Sequence, residues 1–180
     1  MAAGADIVND VSGGLHDSDM FRTVAELGVP YVLMHMRGTP ETMQSLTHYT
    51  NVTNDVAAAL GEASNEAVAH GIHRWLQVVD PGIGFAKDMR GNLLLLKNIE
   101  TLRSASGNLP ILIGTSRKGF IGKLSGVSAA QDRDPGTIAS SVAALCLDRT
   151  ALSGGNIVRV HNVKDCVQAF KVMDSILACR

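Results

Sequence analysis

Short apolar runs alternate along the chain with longer stretches whose apolar positions recur at helical spacing. The runs Asp6 to Val11, Pro30 to Met36, Leu76 to Val79, Pro110 to Gly114 and Asn156 to His161 are nearly uninterrupted, as strands covered on both faces require. Between them, helical patterns run from Ser18 to Leu27, Val52 to Ala69, Asn92 to Arg103 and Thr137 to Leu147. After a predicted Asn162 cap, Val163, Cys166, Val167, Phe170, Met173 and Leu177 form one apolar stripe of a last helix. This alternation predicts βαβ units on a parallel sheet, five of them. No linker, composition shift or low-complexity segment interrupts it, so residues 1–180 read as one domain.

Parallel α/β architectures put their chemistry at the C-terminal ends of strands, whether the sheet closes as a barrel or stays open and doubly wound. Applied here, that rule selects Asn9 and Asp10 with Ser12-Gly-Gly14, then Met34 to Arg37, then Asp80-Pro-Gly-Ile-Gly-Phe85, then Ser116 to Lys118, and last Arg159 and His161. Each group also has a plainer reading. Asn9 and Asp10 suit a turn, because Asx side chains satisfy local backbone donors. Asp80-Pro-Gly is turn-like as well, although its carboxylate stands at the first position past a buried strand. His35, between Met34 and Met36 in an apolar run, fits a hydrogen-bonded core histidine between packing residues. His16, His48, His70 and His73 read as loop or surface positions.

The last two groups resist the plain reading. Cations at a helix start oppose its dipole, so Arg117 and Lys118 there call for an anion or a local acid. Arg159 at an inner strand position predicts a buried guanidinium, costly without a partner. Hydroxyl, guanidinium, ammonium and imidazole groups at two strand ends form the donor set that holds a phosphate or pyrophosphate, since forked and point-charge donors together match an anion with several acceptor oxygens.

Composition narrows the classes. The chain has 180 residues, 46% hydrophobic and 18% charged, with a formal net charge of −1. That length buries a real core, and the absence of a basic balance argues against a nucleic-acid binder. Any anion site is therefore local. Cys146, Cys166 and Cys179 form no CxxC pair, so neither a disulfide framework nor a zinc site is expected. No apolar run approaches a membrane span, and the start Met1-Ala-Ala-Gly-Ala-Asp6 does not look like a signal or transit peptide.

The strings Ile7-Val-Asn-Asp-Val-Ser-Gly-Gly14, Leu33-Met-His-Met-Arg-Gly38, Val79-Asp-Pro-Gly-Ile-Gly-Phe85, Ile113-Gly-Thr-Ser-Arg-Lys-Gly-Phe-Ile-Gly122 and Ile157-Val-Arg-Val-His-Asn-Val163 resemble dihydropteroate synthase, motif by motif in the family's order. The Ser-Arg-Lys and Arg-Val-His strings favour the synthase over the pterin-binding methyltransferases that share the first and third motifs. Arg-Val-His-Asn and the terminal helix are similar to the synthase half of bifunctional plant-type enzymes.

The resemblance implies a TIM, or (β/α)8, barrel that condenses 6-hydroxymethyl-7,8-dihydropterin pyrophosphate with 4-aminobenzoate, releasing pyrophosphate and forming 7,8-dihydropteroate in folate biosynthesis. The family's mechanism is dissociative: the pyrophosphate leaves, the pterin methylene becomes cationic and the aromatic amine attacks it. By the same resemblance, Asn9 and Asp80 match residues that read the pterin edge. Lys118 matches one that donates to the pterin carbonyl and lines the aminobenzoate side, and Ser116 one near the aminobenzoate. Arg159 matches a residue on the pterin face that also helps with phosphate, and His161 a pyrophosphate ligand. Met34, Phe85 and Gly114 would line the pocket. The catalytic group so implied is Lys118, Arg159 and His161.

Departures carry their own expectations. The family's Asn-Val-Thr-Pro-Asp-Ser-Phe loop, its Asp-x-Gly-Gly-x-Ser-Thr-Arg-Pro loop and a further pterin-reading aspartate are not in this sequence. Five βα units do not close a barrel of roughly 250 residues. The expected architecture is thus an incomplete barrel carrying strands 4 to 8, the C-terminal portion of a synthase domain, with little or no turnover alone. The Mg2+ ligand of the family lies in a loop absent here, so no metal residue is assigned. Open strand edges and an inner face with Val8, Val32 and Leu112 predict poor stability in isolation. The family is commonly homodimeric, and the sequence leaves the compartment of a soluble chain open between mitochondrial and cytoplasmic. A non-catalytic pterin-binding fragment and a pterin-binding methyltransferase domain are the alternatives. The segment Asp148 to Ser153 reads as a few residues longer than the family's link into the last strand.

Overall fold

The computed structural model describes residues 1–147 and 156–179. Five parallel strands lie side by side in chain order: β1 (Val8–Asp10), β2 (Tyr31–Met34), β3 (Gln77–Asp80), β4 (Ile111–Ile113) and β5 (Asn156–Val158). Helices join them: α1 (Met20–Leu27), α2 (Val52–Ala69), α3 (Met89–Lys97), α4 (Ile99–Ala105), α5 (Gly119–Ser125) and α6 (Asp134–Leu147), with α7 (Val163–Ala178) after β5. A sequential parallel ladder is how a (β/α)8 barrel wall is built. Among the described residues this wall stays open, with β1 and β5 at its edges.

Side chains alternate across each strand, and the two faces have different fates. On the helix side, Val79, Ile111 and Ile113 pack with Val56, Leu60, Leu95, Ile99 and Leu102. Tyr31 and Leu33 pack with Val24, Ala67 and Ile72 in a smaller cluster. Val8 packs against that smaller cluster, so it does not belong to the inner face expected for it; its neighbour Asn9, in register with Val32, does. Register puts Met34 beside Asp80 and Leu112 beside Ile157 on that same inner face.

Several boundaries differ from the sequence expectation for local physical reasons. The helix expected over Asn92 to Arg103 is two helices. It starts earlier, where the Asp88 carboxylate accepts from the Gly91 N–H at 2.6 Å, and it breaks at Asn98, whose amide donates to the Leu94 carbonyl at 2.9 Å and competes with the helical ladder. The sixth helix begins at Asp134, because Pro135 is tolerated in a first turn. Leu76 ends a 3-10 turn and Asp80 is the last residue of β3. Arg159 and His161 follow β5 rather than ending it, although the Arg159 N–H still donates to the Ile113 carbonyl at 3.0 Å.

The last helix forms behind the expected cap, with the Asn162 side chain accepting from the Asp165 N–H at 3.2 Å. Cys166 of its apolar stripe is buried and Phe170 and Met173 are half-buried, while Val163, Val167 and Leu177 are exposed. The expected lengthening at Asp148 to Ser153 lies outside the described residues.

Candidate functional site

The ends of β2 and β3 are locked together by a turn that only glycine fits. Asp80 accepts from the Gly82 N–H at 2.7 Å, and the His35 N–H donates to the Asp80 carbonyl at 2.9 Å. Gly82 has φ +66°, and a Cβ there would lie 2.0 Å from the His35 carbonyl oxygen. The turn thus presses against the end of β2 and leaves the Asp80 carboxylate buried on the inner face beside Met34, which is also buried. Burial is the main influence on Asp80 and raises its pKa; the Gly82 N–H and the charges of Lys118, Lys87 and Arg159 oppose the rise.

At the end of β1 the two Asx residues separate in role. Asp10 is a turn former: its carboxylate accepts from the Ser12 N–H and hydroxyl, the Gly14 N–H and the Tyr31 hydroxyl, at 2.6 to 2.8 Å. Burial works to raise this carboxyl, but those donations outweigh it and hold it below the usual aspartate value. Asn9 is exposed on the inner face and keeps its amide free of that network.

Beyond β4, Gly114 and Ser116 are buried and Lys118 is half-buried. Ser116 is the hinge to β5: its hydroxyl lies 2.8 Å from His161 Nδ1 and accepts from the His161 N–H at 3.0 Å. Since the oxygen already accepts from that N–H, its own proton suits Nδ1, which leaves Nε2–H of the exposed imidazole as a donor to a ligand. The dipole conflict at Arg117 and Lys118 is settled differently for each. Arg117, at φ 58°, forks onto the Asp134 carboxylate at 2.7 and 2.8 Å, the local acid that the sequence pattern called for. Lys118 instead reaches across to the loop after β3, donating to the Ile83 carbonyl with its Nζ 4.8 Å from the centre of the Phe85 ring. Arg159 is exposed, which corrects the expectation of a buried guanidinium: β5 is the sheet edge, with no strand beyond it among the described residues.

Lys87 lies outside every group selected from the sequence, and the selected Arg37 has an unforeseen partner. Lys87 is buried to 4% exposure, with Nζ 2.8 Å from the Phe85 carbonyl and 3.0 Å from His35 Nδ1. Its signal is weak, since a lysine five residues past the turn glycine Gly82 reads as surface. Arg37 stacks its guanidinium 3.8 Å from the Tyr49 ring centre, and Tyr49 donates to the Ala86 carbonyl at 2.9 Å, so the segment after β2 is fastened over the same turn. A groove of about 440 Å³ opens beside these groups, with Lys87, Lys118, Gly119 and Lys123 among its walls.

The site's charge balance is strongly cationic around one carboxylate. Burial lowers the Lys87 ammonium to about 7 despite the pull of Asp80, and lowers Lys118 to about 8 in the same way. His35 falls to about 3, chiefly from burial and then from the Lys87 and Arg37 charges, so it is neutral. A consequence for stability follows. Between about pH 7 and the free-lysine value of 10.5 the folded chain binds fewer protons than the unfolded one, so stability rises with pH there. Burial raises the tyrosine hydroxyl of Tyr31 above its ordinary 10.0, which reverses the trend at higher pH. The guanidinium midpoint should climb from about pH 7 to about pH 9; a flat or falling midpoint contradicts these lysine shifts.

A model of the family described as "Pterin binding enzyme" matches residues 1–161. The chain is 48% identical to the mitochondrial folate synthesis bifunctional protein of Pisum sativum, over 97% of this chain and 34% of that protein. Among solved structures, dihydropteroate synthase of Xanthomonas albilineans with 4-aminobenzoic acid superposes with a TM-score of 0.86 at 35% identity, covering 99% of this chain and 60% of that one. The same enzyme in complex with 7,8-dihydropteroate gives 0.85 at 34% identity, covering 99% and 62%. The chain thus spans about a third of the plant relative's length and less than two thirds of these solved chains.

Proposed function

The chain belongs to the pterin-binding enzyme family, and from that premise we propose that its strand ends are the pterin pocket and leaving-group cradle of a dihydropteroate synthase. It would correspond to the five C-terminal βα units of the synthase barrel. The observation that carries this reading is the buried carboxylate of Asp80 at the end of β3, with the charges of Lys118 and Arg159 acting on it. One carboxylate suits the N–H donors of a pterin edge, and an excess of cations beside it suits the pyrophosphate attached to that pterin.

In the proposed reaction the bond between the pterin methylene and the pyrophosphate oxygen breaks first. The 4-aminobenzoate nitrogen then bonds to the cationic methylene and loses a proton, giving dihydropteroate and pyrophosphate. No side chain need act as nucleophile; the protein holds the departing anion and the flat pterin. Asn9 and Asp80 take the pterin edge, with Met34, Phe85 and Gly114 around it. Lys118 faces the pterin carbonyl, with Ser116 toward the aminobenzoate. Arg159 and the Nε2–H of His161 receive the pyrophosphate.

Magnesium, implied by the resemblance, does not fit the residues described: among them no group of three or more His, Cys, Asp or Glu is arranged to hold a metal ion. No step is drawn through it. Pairing between two copies and a mitochondrial or cytoplasmic location belong to the same proposal, the latter supported by plant relatives named as mitochondrial. Among the described residues no helix is long and apolar enough to cross a membrane.

The anion cradle has a direct test in inorganic pyrophosphate. Ser116→Ala frees the His161 imidazole to turn, and His161→Ala removes it. Each substitution should weaken pyrophosphate binding in calorimetry about 10-fold, the worth of one hydrogen bond to a charged group. Unchanged affinity in both would remove the cradle and favour a methyltransferase-like pterin domain.

A further inference from the structure

The buried Lys87 ammonium has no role in the reaction outlined above, yet it sits at the point where the pterin turn is fastened. Its Nζ donates to the Phe85 carbonyl at 2.8 Å, stands 3.0 Å from His35 Nδ1 and reaches toward the His35 carbonyl at 3.5 Å. An ammonium has only donors, so the neutral imidazole must accept at Nδ1. Nζ also stands 3.4 Å from the point where a Cβ on Gly82 would project, and Gly82 is the residue whose N–H binds Asp80. The ammonium therefore lies against the turn that carries the carboxylate.

A buried ammonium is expensive unless an opposite charge accompanies it. The charged and titratable groups around this corner are Asp80, Lys118 and Arg159, with His35 and Arg37 from the end of β2. Asp80 is the one acid among them. Lys118 is half-buried and Arg159 exposed, so both are available to a ligand, whereas the hydrogen bonds of Lys87 are used up within the protein. We infer that Lys87 is a positioning residue: its ammonium ties the Phe85 carbonyl and the His35 imidazole together against the Gly82 turn and, when charged, favours the Asp80 carboxylate, while Lys118 and Arg159 serve the substrate.

This inference rests on Asp80 as the pterin-reading group, but its test does not need a pterin. The Asp80 carboxyl carbon is followed by NMR across pH in the chain without ligand, for the native chain, Lys87→Met and Lys87→Arg. Lys87→Met should move the Asp80 midpoint upward, because the ammonium's charge favours the carboxylate; Lys87→Arg should restore most of the shift. Asp80→Asn supplies the reciprocal measurement and keeps the shape of the turn: the Lys87 amine should then titrate at lower pH than its native value of about 7. Unmoved midpoints in either direction would overturn the inference, even if Lys87→Met lowered the melting temperature. Pterin affinity then separates the two claims. In Lys87→Met it should fall progressively as pH drops through the raised Asp80 midpoint, while a native chain that binds no pterin at any pH contradicts the proposed function and leaves the Asp80–Lys87 coupling standing on its own titrations.

Discussion

Gly82→Ala should destabilise the chain by about 3 kcal/mol or more, or prevent it from folding. A methyl group there would meet the His35 carbonyl oxygen at 2.0 Å, in a backbone conformation (φ +66°) that alanine already disfavours. Both partners are backbone, so no rotamer change relieves the clash, and the turn would have to lift away from β2. Gly28 isolates the conformational part of this cost. It has a similar φ of +62° but nothing within 4 Å of its Cβ position, so Gly28→Ala should cost only about 1 kcal/mol. Urea unfolding of the two variants measures both. Equal and small losses would mean that the turn is not pressed against β2 as described.

Asp80→Asn should leave the fold intact and reduce pterin affinity at least about 100-fold. The amide oxygen can still accept from the Gly82 N–H, now 2.7 Å from the carboxylate, and burial already disfavours the charge that is removed. What the variant lacks is a second acceptor and the negative charge, and its amide hydrogens would face the donors of the pterin ring. Titration by pterin fluorescence reads the loss. An affinity within about fivefold of the native chain would take Asp80 out of the pterin-reading role. The two substitutions separate the functions of one turn: its glycine serves the backbone, its carboxylate the ligand.

Most of the architecture was legible because the strands of a parallel sheet leave apolar runs, visible for all five even though β1 and β5 are partly uncovered at the sheet edges. Their loaded ends followed from topology alone. The features that were not legible depend on where side chains go after leaving the backbone. Arg117 and Lys118 are adjacent in sequence and look alike, yet Arg117 forks onto Asp134, seventeen positions on, while Lys118 crosses to Ile83 and Phe85 of the preceding unit. Lys87 reads as an exposed loop residue because nothing local reveals that a neutral histidine from β2 awaits it. The split at Asn98 escaped the helical pattern because a side-chain amide, rather than proline or glycine, interrupts the ladder. Arg159 was misread because an inner strand position is buried only where a further strand covers it. The α7 stripe is only partly covered, at Cys166, Phe170 and Met173, because helical spacing shows which side chains share a face, not how much of that face a neighbour covers.

The central claim is that these strand ends bind an activated pterin. Calorimetric titration of the folded chain with 6-hydroxymethyl-7,8-dihydropterin pyrophosphate tests it most directly. One saturable site per chain, weakened both by Asp80→Asn and by His161→Ala, is the result predicted; a folded chain that gives no binding heat, or binding indifferent to both substitutions, would contradict it.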